Sequence, residues 1–368
     1  MFERGAWGSG LLAVAVAVVA ALLVAGCGGD DDESGSGGDA ETVALLLPES
    51  KTTRYEEQDR PNFEQKLDEL CPDCELFYAN ADQDAAKQQQ QAEAAITEGA
   101  KVLVLDAVDV EAAGAIVERA KQAGIPVVSY GRLVSDADLD YYVSIDPFEV
   151  GQQQAEYLLD TLDEQGMSDP RIVMINGSPT DSNSKPYKDG ALEVFDKRGA
   201  EVVQSYDTPD WSPDKAQQEM EQAITALGDD GFDAVYVAND GMASGAIAAL
   251  KGNGIDPATR PVTGQDAELS AVQRILTGEQ LMTVYQPIKD IAGTSAELAV
   301  PLARGEEPPA DLAPDKVDNG AEQVPSALLD TIAIDADNIN VMVDDGFLDV
   351  AEICAGRYEK PCQEAGLG

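Results

Sequence analysis

Arg54, Arg132, Asp181, Asn183, Asn239, Asp266 and Trp211 share one placement: each lies shortly after a short apolar run. Arginine, aspartate and asparagine carry planar groups that hold two hydrogen-bond partners at once. The indole adds a flat, weakly polar face. Tyr55 and Gln286 occupy the same kind of segment. Such a set suits a polyhydroxylated ligand such as a sugar, whose hydroxyls both donate and accept while its C–H face sits against an aromatic ring. The segments hold no glycine-rich phosphate loop, nucleophile elbow or EF-hand spacing. The chain has no histidine, which removes Ser-His-Asp and Cys-His catalysis and imidazole metal ligands. No cofactor and no metal are expected, and an enzyme would have to work through carboxylates, lysines, tyrosines or cysteines. Each residue also has a plainer reading. Asp181 and Asp240 can cap the helices that follow them, and for Asp240 capping is the preferred reading. Trp211 can be an ordinary core or surface aromatic, and Arg54 a solvated surface charge.

The elements that must position these groups alternate. Apolar runs at 43–47, 76–79, 102–105, 125–130 and 141–145 read as strands, with helices at 60–70, 83–98, 109–123 and 147–165. Asp109 is the expected cap of the 109–123 helix, with Val110, Ala113, Val117 and Ala120 as its apolar stripe. The second half repeats the scheme, with strands at 171–175, 201–206, 234–238, 262–263 and 282–285 and helices at 183–198, 213–227, 242–252 and 268–277. A last unit holds a helix at 288–304, a strand at 328–334 and a helix at 336–343. Short β-rich runs between helices imply an α/β fold of parallel sheets covered on both faces. Ligands of such sheets bind beyond the carboxyl ends of the strands.

The chain has 368 residues, enough for two domains, and a formal charge of 24 − 69 = −45. A surface this acidic repels phosphate backbones, so nucleic acid is not an expected partner. Arg4 precedes an apolar run at 11–25, too short to span a bilayer, and the run ends in Val24-Ala25-Gly26-Cys27. This resembles the lipobox of bacterial lipoproteins. Residues 1–26 are therefore expected to be a signal peptide, Cys27 a lipid-bearing residue, and 27–41, rich in Gly, Ser and Asp, a flexible linker outside the membrane. Past Cys27 remain Cys71, Cys74, Cys354 and Cys362. Outside the cytosol they suggest disulfides; of three connectivities the local pairs Cys71–Cys74 and Cys354–Cys362 are favoured. Cys71-Pro72-Asp73-Cys74 also has the spacing of a redox motif, in an acidic setting that does not favour a thiolate.

From about 42 to 350 the chain resembles the periplasmic sugar-binding proteins of ABC transporters, especially their xylose-binding and multiple-sugar branch. The resemblance rests on Arg54-Tyr55, Tyr130-Gly131-Arg132-Leu133, Gly177-Ser178-Pro179, Asp181-Ser182-Asn183-Ser184-Lys185, Asn239-Asp240, Thr263-Gly264-Gln265-Asp266-Ala267, Thr283-Val284-Tyr285, Asn319-Gly320, Val324-Pro325-Ser326 and Asp345-Gly346-Phe347. It implies two lobes joined by a three-stranded hinge, with crossings near 145, 284 and 325. One lobe would hold 42–145 and 284–325, the other 146–283 and 326–353, with 354–368 as a tail. It also implies that Arg54, Arg132, Asn183, Asn239 and Asp266 hydrogen-bond a monosaccharide, that Trp211 stacks on one face, and that Tyr55 takes the other. Two departures, Gly131 for an acid and Gln286 for a lysine, change which hydroxyls can be held.

The function implied is ligand capture by closure of a lipid-anchored, monomeric binding protein, which then docks on membrane permease subunits. Two other readings differ in class. A sensor lipoprotein would pass on a signal without transport, and a glycosidase would need two carboxyls roughly 5–9 Å apart, one of them of raised pKa. A repressor is excluded by the export signal and the absence of a basic DNA-binding head.

Overall fold

A computed structural model describes residues 41–367; the expected signal peptide, Cys27 and nearly all of the linker lie outside the described residues. The chain runs β1 (Thr42–Leu47), α1 (Arg60–Leu70), β2 (Glu75–Asn80), α2 (Ala85–Thr97), β3 (Ala100–Leu105), α3 (Gly114–Gln122), β4 (Val127–Tyr130) and β5 (Tyr141–Ile145). It continues α4 (Pro147–Glu164), β6 (Arg171–Asn176), α5 (Ser184–Arg198), β7 (Glu201–Asp207), α6 (Pro213–Leu227), β8 (Ala234–Val237), α7 (Asp240–Gly252) and α8 (Leu269–Leu276). Next come β9 (Thr283–Tyr285), α9 (Ile288–Ala303), β10 (Asp315–Asp318), β11 (Gln323–Leu329) and β12 (Ile332–Ile334). The chain then forms three short helices, α10 (Asn340–Asp344), where a helix was expected from 336, α11 (Val350–Ile353) and α12 (Glu359–Glu364).

The first sheet has the order β10-β11-β5-β4-β3-β1-β2, parallel except for the β10–β11 hairpin. The second, β7-β6-β8, is parallel throughout, and β12-β9 forms a separate antiparallel pair. The α/β architecture expected from alternation is present. The central strands are buried on both faces, as their continuous Val, Leu and Ile runs require. Two glycines set the helix spacing: a Cβ on Gly151 of α4 would lie 2.0 Å from the Tyr187 carbonyl oxygen, and one on Gly190 of α5 would lie 2.2 Å from that of Phe148. These helices are in backbone contact, and only glycine fits.

Sheet membership changes after Ile145, between β8 and β9, between Tyr285 and Asp315, and between Leu329 and Ile332. The single strand expected at 328–334 is therefore two. β11 pairs with β5 as far as Leu329↔Ile145, and β12 then pairs with β9 through Ile332↔Tyr285. One extended run serves two sheets, which period-two alternation cannot reveal. The helix expected at 109–123 begins only at Gly114. Asp109 does cap a turn, accepting from the Glu111 and Ala112 amides. The Val110 N–H, however, donates to the Thr180 carbonyl, and the Val110 carbonyl accepts from Ser135. Long-range bonds have taken the groups a first helical turn would use.

The cysteines pair locally, Cys71 with Cys74 and Cys354 with Cys362, as favoured. The second bridge ties down the C-terminal segment, where the Leu367 N–H donates to the Cys362 carbonyl. Among the described residues no helix is long and apolar enough to cross a membrane.

Candidate ligand-binding site

Arg54, Tyr55, Arg132, Asp181, Asn183, Trp211, Asn239, Asp266 and Gln286 all line one cavity. Each follows the carboxyl end of a strand or bridge. Arg54 and Tyr55 follow β1, and Arg132 follows β4. Asp181 and Asn183 follow β6, Trp211 follows β7 and Asn239 follows β8. Asp266 comes after the Val235–Val262 bridge and Gln286 after β9. The space it leaves for the centre of a water-sized sphere is about 40 Å³, so the walls stand close together.

Two ionic groups bracket it. At one end Arg54 makes a two-pronged pair with Asp59 (Nε–Oδ2 2.9 Å, Nη2–Oδ1 2.8 Å) and donates to Gln286 Oε1 at 3.0 Å. Gln286 passes the bond on to Asp266 Oδ1 at 2.9 Å, and Arg54 Nη1 stands 3.7 Å from the same oxygen. Asn239 Nδ2 meets the other Asp266 oxygen at 3.4 Å. Burial raises the Asp266 carboxyl pKa, and the Arg54 charge opposes the rise. At the other end Arg132 Nε lies 2.8 Å from Asp181 Oδ2, and its Nη1 donates to the Ala107 carbonyl at 2.8 Å. Asp181 Oδ2 also accepts from the Trp211 indole N–H at 3.1 Å. Tyr187 stands edge-on to the indole at 6.4 Å. Asp266, Asp210 and Trp211 sit at φ of 93°, 60° and 51°, in the left-handed region that non-glycine residues rarely adopt. Such backbone persists where surroundings over-determine it, commonly at ligand sites.

The plainer reading of Arg54 as a solvated surface charge does not hold, since it is buried in the cavity wall; Trp211 lines the same wall and also packs in the hydrophobic core. Asp181 does cap locally, its Oδ1 accepting from the Asn183 amide, while its other oxygen serves the site. The expected cap of α7 is overturned. Asn239, in an extended conformation, is the residue that caps, accepting from the Met242 N–H. Asp240 is the first helical residue and points inward, where it takes bonds from Gln280, Thr283 and the Glu268 amide. Sequence reasoning did not nominate Thr52, Gly131, Ser144, Tyr187, Gln265 and Ile291 as lining residues. Tyr187 lies one helical turn beyond Asn183, a spacing that could have nominated it.

Two consequences can be measured. A Cβ on Gly177 would lie 2.1 Å from the Trp211 ring and 2.5 Å from Ser184 Oγ, so Gly177→Ala must displace the indole. We expect it to weaken ligand binding about tenfold or more, roughly 1.4 kcal/mol, with an altered near-ultraviolet dichroism of the tryptophan. Glu268 is buried beside Asp240 and Asp266, and burial, followed by their repulsion, lifts its carboxyl pKa to about 8. An unfolded glutamate has a value near 4.5, so from there to about 8 the native state holds the extra proton. Stability from this group is full at low pH and is lost as pH rises through that window. Glu268→Gln, fixed in the neutral form, should therefore gain Tm relative to wild type between pH 5 and pH 8 (melting curves at the two pH values). An equal difference at both would contradict the assignment.

The model of the family described as "Periplasmic binding protein domain" matches residues 43–307. The chain is 35% identical over 316 residues to the D-xylose-binding periplasmic protein of Escherichia coli (strain K12), covering 84% of this chain and 92% of that one. It is 32% identical over 327 residues to the multiple sugar-binding periplasmic receptor ChvE of Rhizobium radiobacter, covering 84% and 91%. Among solved structures, an ABC transporter solute binding protein from Clostridium phytofermentans with bound beta-D-glucose superposes with a TM-score of 0.76 at 28% identity, covering 85% of this chain and 100% of that one.

Proposed function

The chain belongs to the periplasmic binding protein family, and on that premise we propose that it captures one neutral monosaccharide, a pentose or hexose, by closing two lobes around it. We place the lobe crossings near 145, 286 and 330, the last beyond 325 because β11 stays with the first sheet to Leu329. The observation that carries the reading is the convergence of both sheets on one cavity. Arg54 and Arg132 arrive from the first, while Asp181, Asn183, Trp211 and Asn239 arrive from the second. The two guanidiniums face the carboxylates of Asp181 and Asp266, so the lining favours a neutral partner over an ion. Hydroxyls satisfy such a lining because each donates to one group and accepts from another. Bonds already cross between the halves: Asn183 Nδ2 donates to the Gly131 carbonyl at 3.0 Å, and the Leu133 amide to Ser182 Oγ at 2.8 Å. A ligand that touches both halves only when they close shifts the population toward that form.

In this reading the protein does no chemistry on its ligand. It is the extracytoplasmic, lipid-anchored member of an ABC-type importer, held through Cys27, monomeric, and docking when closed on permease subunits. The names of the relatives support carbohydrate as the class, and they differ in which sugar. Thermal melts with xylose, ribose, arabinose, glucose, galactose, fucose and rhamnose test it. At least one should raise Tm by mass action, reaching about 2.7 kcal/mol of stabilisation at a hundredfold excess over Kd. No shift with any of them would refute a monosaccharide ligand.

A further inference from the structure

Beneath the Arg132 end of the cavity lies a carboxylate that the account so far leaves unused. Asp106 follows β3 and is fully buried, yet neither side-chain oxygen has a hydrogen-bond partner among the described residues. A buried carboxyl with both oxygens unserved is costly, and native structures keep few of them. Its backbone is pinned: the amide donates to the Leu46 carbonyl, and Gln88 holds the loop by donating to the Asp106 carbonyl at 2.7 Å and accepting from the Val108 amide at 2.9 Å. The side chain is therefore placed where it is by design of the strand end, not by slack in the loop.

Its direction is set by Gly131. A Cβ on Gly131 would lie 2.5 Å from Asp106 Oδ2, so that oxygen occupies the space a side chain at 131 would need. Gly131 is itself part of the cavity wall. Asp106 Oδ1 is 3.5 Å from Arg132 Nε, on which Asp181 also converges. Resting on the monosaccharide reading, we propose that Asp106 is a specificity-determining residue, its carboxyl reaching across Gly131 to one hydroxyl of the sugar at the Arg132 end. Burial pushes its pKa well above the ordinary carboxylate range, against the pull of Arg132, so the group can meet that hydroxyl as donor or acceptor. Glycine at 131 is then required for space, since any side chain would stand between the carboxyl and the ligand.

The test is calorimetric binding of the preferred monosaccharide and of its singly deoxygenated and epimeric analogues to wild type, Asp106→Leu and Asp106→Asn. Asp106→Leu should weaken the preferred sugar about 10- to 100-fold, the range of leaving a buried hydroxyl without its partner. It should leave the analogue lacking one particular hydroxyl bound as in wild type. Discrimination at that position then disappears while discrimination at the others persists. Asp106→Asn, which keeps the shape, should show the same pattern to a smaller degree and serves where the leucine variant does not fold. Gly131→Ala should weaken the same sugar with the same positional signature. Wild-type affinity in the variants, or loss of every analogue by one common factor, overturns the assignment. A wild-type protein that binds no monosaccharide overturns the reading beneath it.

Discussion

Replacing Arg132 by alanine is expected to abolish ligand binding and to lower stability by about 3–5 kcal/mol, the usual cost of breaking a buried ion pair from one side. The guanidinium is buried between Asp181 and Asp106, with Nε 2.8 Å from one and 3.5 Å from the other. Its removal leaves two carboxyls without their cation, in a region where burial also raises the pKa of the Tyr55 phenol. Arg132→Lys separates charge from geometry. It should recover part of the stability, because a cation remains, but little of the binding, because an ammonium cannot span Asp181, the Ala107 carbonyl and Tyr55 together. Urea melts and calorimetric titration of the three proteins measure both quantities. A fully stable Arg132→Ala that still binds sugar would remove the group from the site.

Trp211→Ala should weaken binding by about 100-fold or more, close to 2.8 kcal/mol. The indole does two things. Its ring is the largest flat apolar surface in the cavity wall, and its N–H holds Asp181 Oδ2, the oxygen that pairs with Arg132. Alanine removes both and leaves a void beside Tyr187. Trp211→Phe keeps a stacking face but frees Asp181, and should lie between the two. Calorimetric affinities within threefold of wild type for Trp211→Ala would show that the indole is only packing.

Much of this was readable before any coordinates. The alternation of apolar runs and helices gave the α/β class. The rule that ligands gather beyond strand ends then selected the segments in which all nine nominated residues stand. Local chemistry was less readable where tertiary bonds compete for backbone groups. The start of α3 moved to Gly114 because Val110 bonds to Thr180, more than sixty residues away. Asp240 reads as a cap by residue type, but Asn239 has the extended backbone that capping needs. The split of 328–334 between two sheets and the approach of Asp106 to Gly131 depend on pairing between distant strands, which no local pattern encodes.

In the chain from Cys27 onward Trp211 is the only tryptophan, so its emission reports on the cavity alone. Titrating that form of the protein with the sugar that raises its Tm should change the emission saturably, at a midpoint that matches the calorimetric Kd. A sugar that stabilises the protein while the emission stays constant to saturation would bind elsewhere and contradict the account.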